Sequence, residues 1–339
     1  MSHPRRILGR AVLAVAALVA PLAPALAGQS AAHAAAPSYV ALGDSYSSGT
    51  GTRSYIDDGT SCQRSTLAYP SLVAAARGYS LNFRACSGAT VSEVTNTQLS
   101  ALSAATNYVT ISVGGNDAGF ADVLTECATP WWAGDCDGAI DAAQAFINGT
   151  LPGRLSTLYG SINSRSPGAT VVVVGYPRIF MGEDCNAGTW FSPEEQARLN
   201  QTADLLNDRT RTAATSQGFS FANPTSRFIG HAVCDNPEWI NGLSYPISES
   251  YHPNRDGQAS GYTPTVSPLL TGAAVRVTPA TLRAARASGG ELAAQQREYA
   301  AVDASIRPAE FRAPDLRTLR VAARKAGIAF DRWLTRQHR

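Results

Sequence analysis

Short apolar runs separated by longer, mixed segments dominate the pattern of hydrophobic and polar positions along the chain. Five runs are rich in β-branched or aromatic residues and bounded by Gly, Pro, Asn or Ser, which is typical of buried strands. They cover residues 39–42, 81–84, 108–113, 170–175 and 219–222. Helical patterns lie between them. The clearest covers about residues 193–216, where Ser192 and Glu195 form a capping box and Pro193 takes the first helical position. This alternation predicts a parallel sheet with helices on both faces.

Polar or glycine-containing turns follow the first three predicted strands. They are Gly-Asp-Ser at 43–45, Cys-Ser-Gly at 86–88 and Gly-Gly-Asn-Asp at 114–117. In open α/β sheets, ligands bind beyond the carboxyl ends of the strands. We therefore expect these three turns to converge on one edge of the sheet.

Ser45 is the candidate nucleophile of this edge. A serine hydroxyl needs a base to take its proton and donors to hold the oxyanion that forms. At a strand-to-helix turn the Ser45 side chain would be exposed and its backbone N–H would point into the site. Gly88 can offer a second backbone N–H, and Asn116 can offer its side-chain amide.

His252 is the best candidate for the base, because it follows all five predicted strands in the loop-like segment 248–254. His231 is the other candidate in the core of the chain, and we interpret it as a surface or structural histidine. Asp44 and Asp117 are adjacent to the candidate residues. Both are interpreted as structural, accepting turn N–H groups.

The N-terminal residues have the pattern of a secretory signal peptide. Three arginines precede the apolar residues 11–27, and an Ala-x-Ala site follows at 32–34. A membrane anchor is the alternative, but the apolar stretch is short for a span and contains two prolines. We predict a signal peptide over residues 1–34 and a secreted, extracellular protein.

Export changes the interpretation of the cysteines, all six of which follow the predicted signal. An even number in an oxidising compartment predicts three disulfides. The sequence alone does not choose the pairing. The favoured hypothesis is sequential, because each bond then closes a modest loop: Cys62–Cys86, Cys127–Cys136 and Cys185–Cys234. The chain has no Cys-x-x-Cys pair and its histidines are scattered, so neither a metal nor an organic cofactor is expected.

Charge divides the chain unequally. The net charge is +2, yet residues 276–339 are rich in Arg, and residues 11–275 are net acidic. An acidic core argues against nucleic acid as a partner. We predict a hydrolase domain over 35–275 and a basic, mostly helical C-terminal extension over 276–339.

After Asp315 the extension has apolar residues on one helical face. Such a helix could lie on anionic lipid as a peripheral membrane contact, or dock on the acidic core, which is the favoured hypothesis. The face comprises Leu316, Leu319, Ala323, Ala326, Phe330, Trp333 and Leu334.

Taken in order, the turns and the histidine segment resemble the four blocks of the SGNH (GDSL) hydrolase superfamily. The resemblance covers about residues 35–275. It is closest to the secreted actinomycete lipases and phospholipases A, through Gly-Asp-Ser-Tyr-Ser-Ser-Gly at 43–49 and Ser-Tyr-His-Pro at 250–253. It implies a flavodoxin-like three-layer α/β/α sandwich with a five-stranded parallel sheet in the order 2-1-3-4-5.

The same resemblance implies roles for individual residues. Ser45 would be the nucleophile and His252 the general base and acid. The oxyanion hole would consist of the N–H groups of Ser45 and Gly88 and the Asn116 side chain. The resemblance also favours the sequential disulfides.

The sequence departs from the family pattern at Glu249, where an aspartate is usual three residues before the histidine. Glu249 could complete a triad with His252. Alternatively, the backbone carbonyl of Ser250 holds the imidazole and leaves a Ser–His dyad. The resemblance to close relatives of this branch implies this second arrangement. We favour the dyad, since a carbonyl can fix the tautomer without a buried charge.

The sequence therefore predicts a secreted, monomeric serine esterase acting on lipid esters, as a triacylglycerol lipase, a phospholipase A or both. A carbohydrate or aryl ester deacylase with the same residues is the alternative enzyme. A non-catalytic lipid- or wall-binding protein is the alternative of another class. The aromatic residues expected along an acyl groove are Tyr46, Tyr55, Phe120, Trp131 and Trp132; for the two tryptophans, packing of a loop onto the domain is equally favoured.

Overall fold

A computed structural model describes residues 1–3, 9 and 35–337 of the chain. Of the predicted signal peptide, residues 4–8 and 10–34 lie outside the described residues. Five strands form one parallel sheet in the order β2-β1-β3-β4-β5, which confirms the predicted α/β class and strand order. The strands are β1 Ser38–Gly43, β2 Ser80–Phe83, β3 Tyr108–Ser112, β4 Thr170–Val174 and β5 Ser220–Ala222.

The sheet is buried on both faces, as expected for parallel strands flanked by helices. The last five residues of β1 are all buried, and the last four residues of β3 and β4 are buried too. Helices α4 to α7 pack against one another, and α2 packs against both α9 and α10 (Pro279–Ala287) in a second group. The helices of the sandwich are α1 Ser45–Ser48, α2 Tyr69–Arg77, α3 Val91–Glu93, α4 Phe120–Cys127, α5 Cys136–Gly149, α6 Leu151–Arg165, α7 Pro193–Ser216, α8 Thr225–Phe228 and α9 Thr263–Thr271.

Helix α7 has the bounds that the sequence predicts. The Ser192 hydroxyl accepts the N–H of Glu195 at 3.2 Å, and the Glu195 carboxylate accepts the N–H of Ser192 at 2.8 Å. These two bonds satisfy donors that the first helical turn leaves without partners. Three disulfides in the described residues link Cys62 to Cys86, Cys127 to Cys136 and Cys185 to Cys234.

The C-terminal extension is helical and packs on the sandwich. At the end of α12 the Asp303 carboxylate lies 2.6 Å from an Arg64 nitrogen and 2.7 Å from an Arg84 nitrogen, and all three side chains are fully buried. This network ties the extension to residues near β2. The helices of the extension are α10 Pro279–Ala287, α11 Gly289–Arg297, α12 Ala300–Asp303, α13 Leu316–Lys325 and α14 Phe330–Gln337.

The predicted amphipathic segment after Asp315 forms two helices, α13 and α14, rather than one. Leu319, Ala323 and Phe330 are buried in a small cluster against Trp132 and Trp190. Most of the predicted apolar face is therefore covered, whereas Leu316, at 48% exposure, and Ala326 remain exposed with the basic side chains. Across the part of the chain that the structure describes, no helix is long and apolar enough to cross a membrane.

Candidate active site

The turn after β1 places Ser45 at the first residue of α1. Gly43 has φ +121°, and a Cβ there would lie 2.3 Å from the Ser112 carbonyl oxygen on β3, so only glycine fits this close approach. Asp44 caps α1, because its carboxylate accepts the Tyr46 N–H at 3.1 Å. The strand end and the cap together set the position of Ser45 at the start of α1.

Asp44 is a structural carboxylate of this turn. It is buried and also accepts hydrogen bonds from the hydroxyls of Ser112, at 2.6 Å, and Tyr176. Burial raises the pKa of Asp44 to about 6, although the three hydrogen bonds oppose the shift. The Asp44 carboxylate is therefore occupied by hydrogen bonds within and around the turn, which agrees with the structural role that the sequence predicts.

His252 lies beside Ser45, with its Nε2 atom 2.9 Å from the Ser45 Oγ atom. The neighbouring backbone is held in place by the Tyr46 hydroxyl, which donates to the Tyr251 carbonyl at 2.9 Å. The imidazole lies 5.4 Å from the Tyr46 ring and 6.3 Å from the Phe120 ring, measured between centroids. This burial lowers the pKa of His252 to about 4, so the ring is neutral at pH 7.

The backbone carbonyl of Ser250 orients the imidazole, at 2.9 Å from His252 Nδ1. A carbonyl oxygen can only accept, so Nδ1 carries the proton and Nε2 is left free to accept from the Ser45 hydroxyl. Glu249 is buried, but its carboxylate accepts from the Tyr55 hydroxyl at 2.7 Å and from Arg53 Nε at 3.2 Å. The geometry is that of the dyad rather than of a Glu249 triad.

The other two candidate oxyanion donors lie on loops that are tied to each other. The Asn116 amide donates to the Ala89 carbonyl at 3.1 Å, and the Asp117 carboxylate accepts the Val91 N–H at 2.8 Å. Gly88 has φ +86°, a conformation that glycine adopts without strain. Gly88, Asn116 and Ser45 all line one cavity with His252, so the structure brings the predicted site residues together.

An apolar cleft opens beside the nucleophile. We call it the apolar cleft, because most of the side chains that line it are hydrophobic. Ser45 and Asn116 lie at one part of its wall. The rest is mainly contributed by Phe120, Val123 and Leu124 of α4, Ala143 and Ile147 of α5, and Leu199, Ala203 and Leu206 of α7.

A second cavity, the polar cleft, shares Ser45, Asn116 and Phe120 with the first. One part of its wall comes from the extension, through residues 308–311 between α12 and α13. Nothing in the sequence indicates this contribution, since no local signal in an irregular segment shows which distant surface it covers. The other side chains are mostly small or polar: Ser61, Gln63, Ser87, Ser248 and Ser250.

The aromatic residues predicted for an acyl groove are only partly placed there. Tyr46 and Phe120 line the apolar cleft. Tyr55 does not line that cleft, since its hydroxyl bonds to the Glu249 carboxylate. For the two tryptophans, packing was the equally favoured hypothesis: Trp132 packs 5.1 Å from the Trp333 ring, measured between centroids, and Trp131 is 78% exposed beside a separate cavity. His231 stacks on Trp239 at 3.7 Å and bonds to the Pro237 carbonyl, which are structural contacts.

The sequence matches one protein family over residues 41–259, which contain the nucleophile turn, both donor loops and the histidine. That family is described as the GDSL-like lipase/acylhydrolase family. The chain belongs to the GDSL-like lipase/acylhydrolase family. As a family member it is a carboxylic-ester hydrolase.

Relatives of this GDSL-like hydrolase carry lipase names. It is 43% identical over 268 residues to a lipase of Streptomyces rimosus, covering 77% of this chain and 98% of the relative. It is 42% identical over 272 residues to Lipase 1 of Streptomyces coelicolor, covering 79% and 98%. Both relatives are therefore matched over nearly their whole length.

Two solved structures share the fold. The extracellular lipase of Streptomyces rimosus has a TM-score of 0.65 and 42% identity, over 69% of this chain and 100% of that one. Phospholipase A1 of Streptomyces albidoflavus NA297 has the same TM-score and identity, over 69% and 99%. The matched family region ends at residue 259, so the extension of this GDSL-like hydrolase lies beyond it.

Proposed function

We propose that this chain is a secreted lipolytic serine hydrolase that cleaves carboxylic esters of lipids through an acyl-enzyme on Ser45. The observation that carries the proposal is the 2.9 Å contact between Ser45 Oγ and a neutral His252 at the mouth of an apolar cleft. Lipase and phospholipase names among the relatives support the substrate class.

In this mechanism His252 takes the proton of Ser45 as Oγ attacks the ester carbonyl carbon. The N–H groups of Ser45 and Gly88 and the Asn116 amide stabilise the oxyanion, each such donor typically contributing about 2.7–4 kcal/mol. The imidazolium then gives its proton to the departing alcohol. The Ser250 carbonyl, 2.9 Å from Nδ1, stabilises the imidazolium without supplying a charge.

Hydrolysis of the acyl-enzyme repeats the sequence with water as the nucleophile. His252 takes a proton from water, the second tetrahedral intermediate uses the same donors, and Ser45 leaves with its proton restored. A pKa of about 4 keeps the base unprotonated at neutral pH. The acid and base roles therefore need no further residue in the site.

We assign the acyl chain to the apolar cleft, because burying each methylene group stabilises the complex by about 0.8 kcal/mol. A carbohydrate or aryl ester deacylase with a short acyl group would leave this apolar wall unfilled. A non-catalytic binding protein would not need the serine–histidine contact. Both alternatives are therefore less well supported by the geometry than a lipid ester hydrolase.

Esters of one alcohol with acetyl, butanoyl, octanoyl and palmitoyl groups test the assignment. We expect kcat/KM to rise with chain length beyond acetyl. Ala203→Trp, on α7 in the apolar cleft, should lower kcat/KM for octanoyl esters at least tenfold and leave acetyl esters within about threefold. Ala197→Trp, exposed on the same helix and outside the cleft, is the matched control.

Equal losses on acetyl and octanoyl esters would contradict the assignment of the cleft. Phosphonate labelling provides an independent check of the nucleophile. A serine-reactive phosphonate should label Ser45 in the native chain and fail to label Ser45→Ala. A folded chain that is not labelled by the phosphonate and hydrolyses none of these esters would instead favour the non-catalytic alternative.

Export is part of the proposal. The three disulfides are of the kind that persists in oxidising compartments. The Streptomyces rimosus relative is an extracellular lipase. We propose that residues 1–34 are removed as a signal peptide and that the mature chain begins at Ala35, which mass spectrometry of the exported protein checks.

The extension is proposed to be a docked part of the enzyme. Most of its predicted apolar face packs on Trp132 and Trp190, and Leu316 is the large apolar side chain of that face that stays exposed. Its outer basic face suits electrostatic contact with anionic head groups, which sedimentation with vesicles tests. Such a contact would weaken as salt increases, because exposed charges are screened.

A further inference from the structure

The polar cleft is the natural place for the alcohol part of an ester. This assignment rests on the proposed function. With the acyl chain in the apolar cleft, the scissile bond lies at Ser45, where the two cavities meet. The leaving alcohol must then extend into the polar cleft, beside His252, which protonates it.

The charge of the polar cleft is not that expected of a site that binds lipids with phosphate head groups. Among the described residues that line it, Glu310 is the one charged side chain, because His252 is neutral at pH 7. No Lys or Arg of residues 35–337 lines this cleft. Phosphate recognition in proteins generally uses such cations. A substrate with an anionic head group would therefore meet a carboxylate and no compensating cation.

Glu310 belongs to a segment that is anchored at both sides of the cleft. We call residues 304–313 the strap. On one side Ile306 is fully buried and Pro308 lies against Gly88, so closely that a Cβ on Gly88 would be 2.4 Å from the Pro308 Cα. On the other, the Phe311 ring packs edge-on at 5.0 Å from Tyr251.

A backbone bond holds the far end of the strap to α4, since the Arg312 N–H donates to the Thr125 hydroxyl at 3.0 Å. The Arg312 side chain lies 3.5 Å from Asp122 on the same helix. Arg307 and Arg312 flank Glu310 in sequence, but neither lines the cleft. Within residues 35–337 no ion pair to Glu310 is present. Its negative charge therefore faces the cleft without a partner.

We propose that Glu310 is a specificity-determining residue that selects esters by the charge of their alcohol. Esters of neutral or cationic alcohols, such as acylglycerols, are accepted, and esters whose alcohol carries an anion near the scissile bond are discriminated against. The strap lies beyond the region that matches the family. In this proposal it restricts the substrate range of the enzyme to one class of lipid ester.

The expected size follows from a partly solvated charge. Two unit charges about 4 Å apart interact by about 1 kcal/mol in bulk water, so one carboxylate should disfavour one nearby anion roughly threefold to tenfold at low ionic strength. Glu310 is exposed, so the discrimination should shrink as salt is added. A steric effect would not depend on salt.

Three chromogenic aryl octanoates test the proposal: one neutral, one with a carboxylate and one with a trimethylammonium group on the leaving phenol. The full chain is compared with Glu310→Gln, which keeps shape and removes charge. The variant-to-wild-type ratio of kcat/KM for each ester cancels its intrinsic reactivity. We expect this ratio to be about three to ten for the anion, within twofold of one for the neutral ester, and below one for the cation.

Glu298→Gln is the matched control, because it removes the same charge from the extension outside the cleft. It should leave all three ratios near one. At about 0.5 M salt the Glu310→Gln ratios should converge towards one. A Glu310→Gln variant with unchanged ratios, or one that changes all three esters equally and independently of salt, overturns the proposal. A wild-type chain that hydrolyses none of the three esters would instead contradict the proposed function.

Discussion

Replacing Glu249 with Gln separates a Ser–His dyad from a triad. The Glu249 carboxylate bonds to the Tyr55 hydroxyl and to Arg53, whereas His252 Nδ1 bonds to the Ser250 carbonyl. Removing the charge therefore leaves the orientation of the imidazole intact. We expect Glu249→Gln to retain kcat within about threefold, while a triad acid would cost about 10⁴-fold.

The same substitution should lower the free energy of unfolding. Arg53 is more than half exposed, so its ion pair contributes only about 0–1 kcal/mol. The bond from Tyr55 to a buried carboxylate contributes about 1.5–3 kcal/mol, part of which an amide retains. A net loss of about 1–3 kcal/mol is expected, with catalysis preserved wherever the variant is folded.

The assay is kcat on a soluble butanoyl ester at 25 °C, beside urea denaturation of the same samples. His252→Ala serves as the variant that must lose activity. Tyr55→Phe removes one partner of the Glu249 carboxylate and should reproduce part of the stability loss without a loss of kcat. A folded Glu249→Gln whose kcat falls more than about 100-fold would refute the dyad.

Three further predictions concern buried ionisable groups. Because burial lowers the pKa of His252 to about 4, kcat/KM should fall only near pH 4–5 rather than near 6.5, the ordinary pKa of a histidine. An acid limb at pH 6.5 in the folded enzyme would contradict the burial argument. The same shift contributes stability that is complete above pH 6.5 and is lost as pH falls towards 4, a slope that His252→Gln should reduce in urea titrations. Asp303→Asn should cost about 3–5 kcal/mol of unfolding free energy, because it leaves the fully buried Arg84 without a carboxylate partner, whereas Arg64 keeps its ion pair with Asp58. A thermal or urea shift worth under about 1 kcal/mol would refute this role.

The sequence by itself determined the elements and the turn chemistry. Its apolar runs place five strands within a residue or two of their observed bounds, because period and composition are local properties. The capping box at Ser192 locates the start of α7 for the same reason. Parallel topology then brings Ser45, Gly88 and Asn116 to one edge, so the candidate site followed from local signals and a general rule.

Tertiary structure decided which groups meet across long separations. Glu249 turns to Tyr55, which lies 194 residues away in the chain, and this choice depends on packing that no local pattern encodes. Trp132 is covered by α14 instead of lining a groove, because the extension folds back on it. The placement of Pro308 on Gly88, and with it Glu310 in the lining of the polar cleft, depends on contacts between residues far apart in the chain, among them the buried Asp303 network that anchors the extension beside β2.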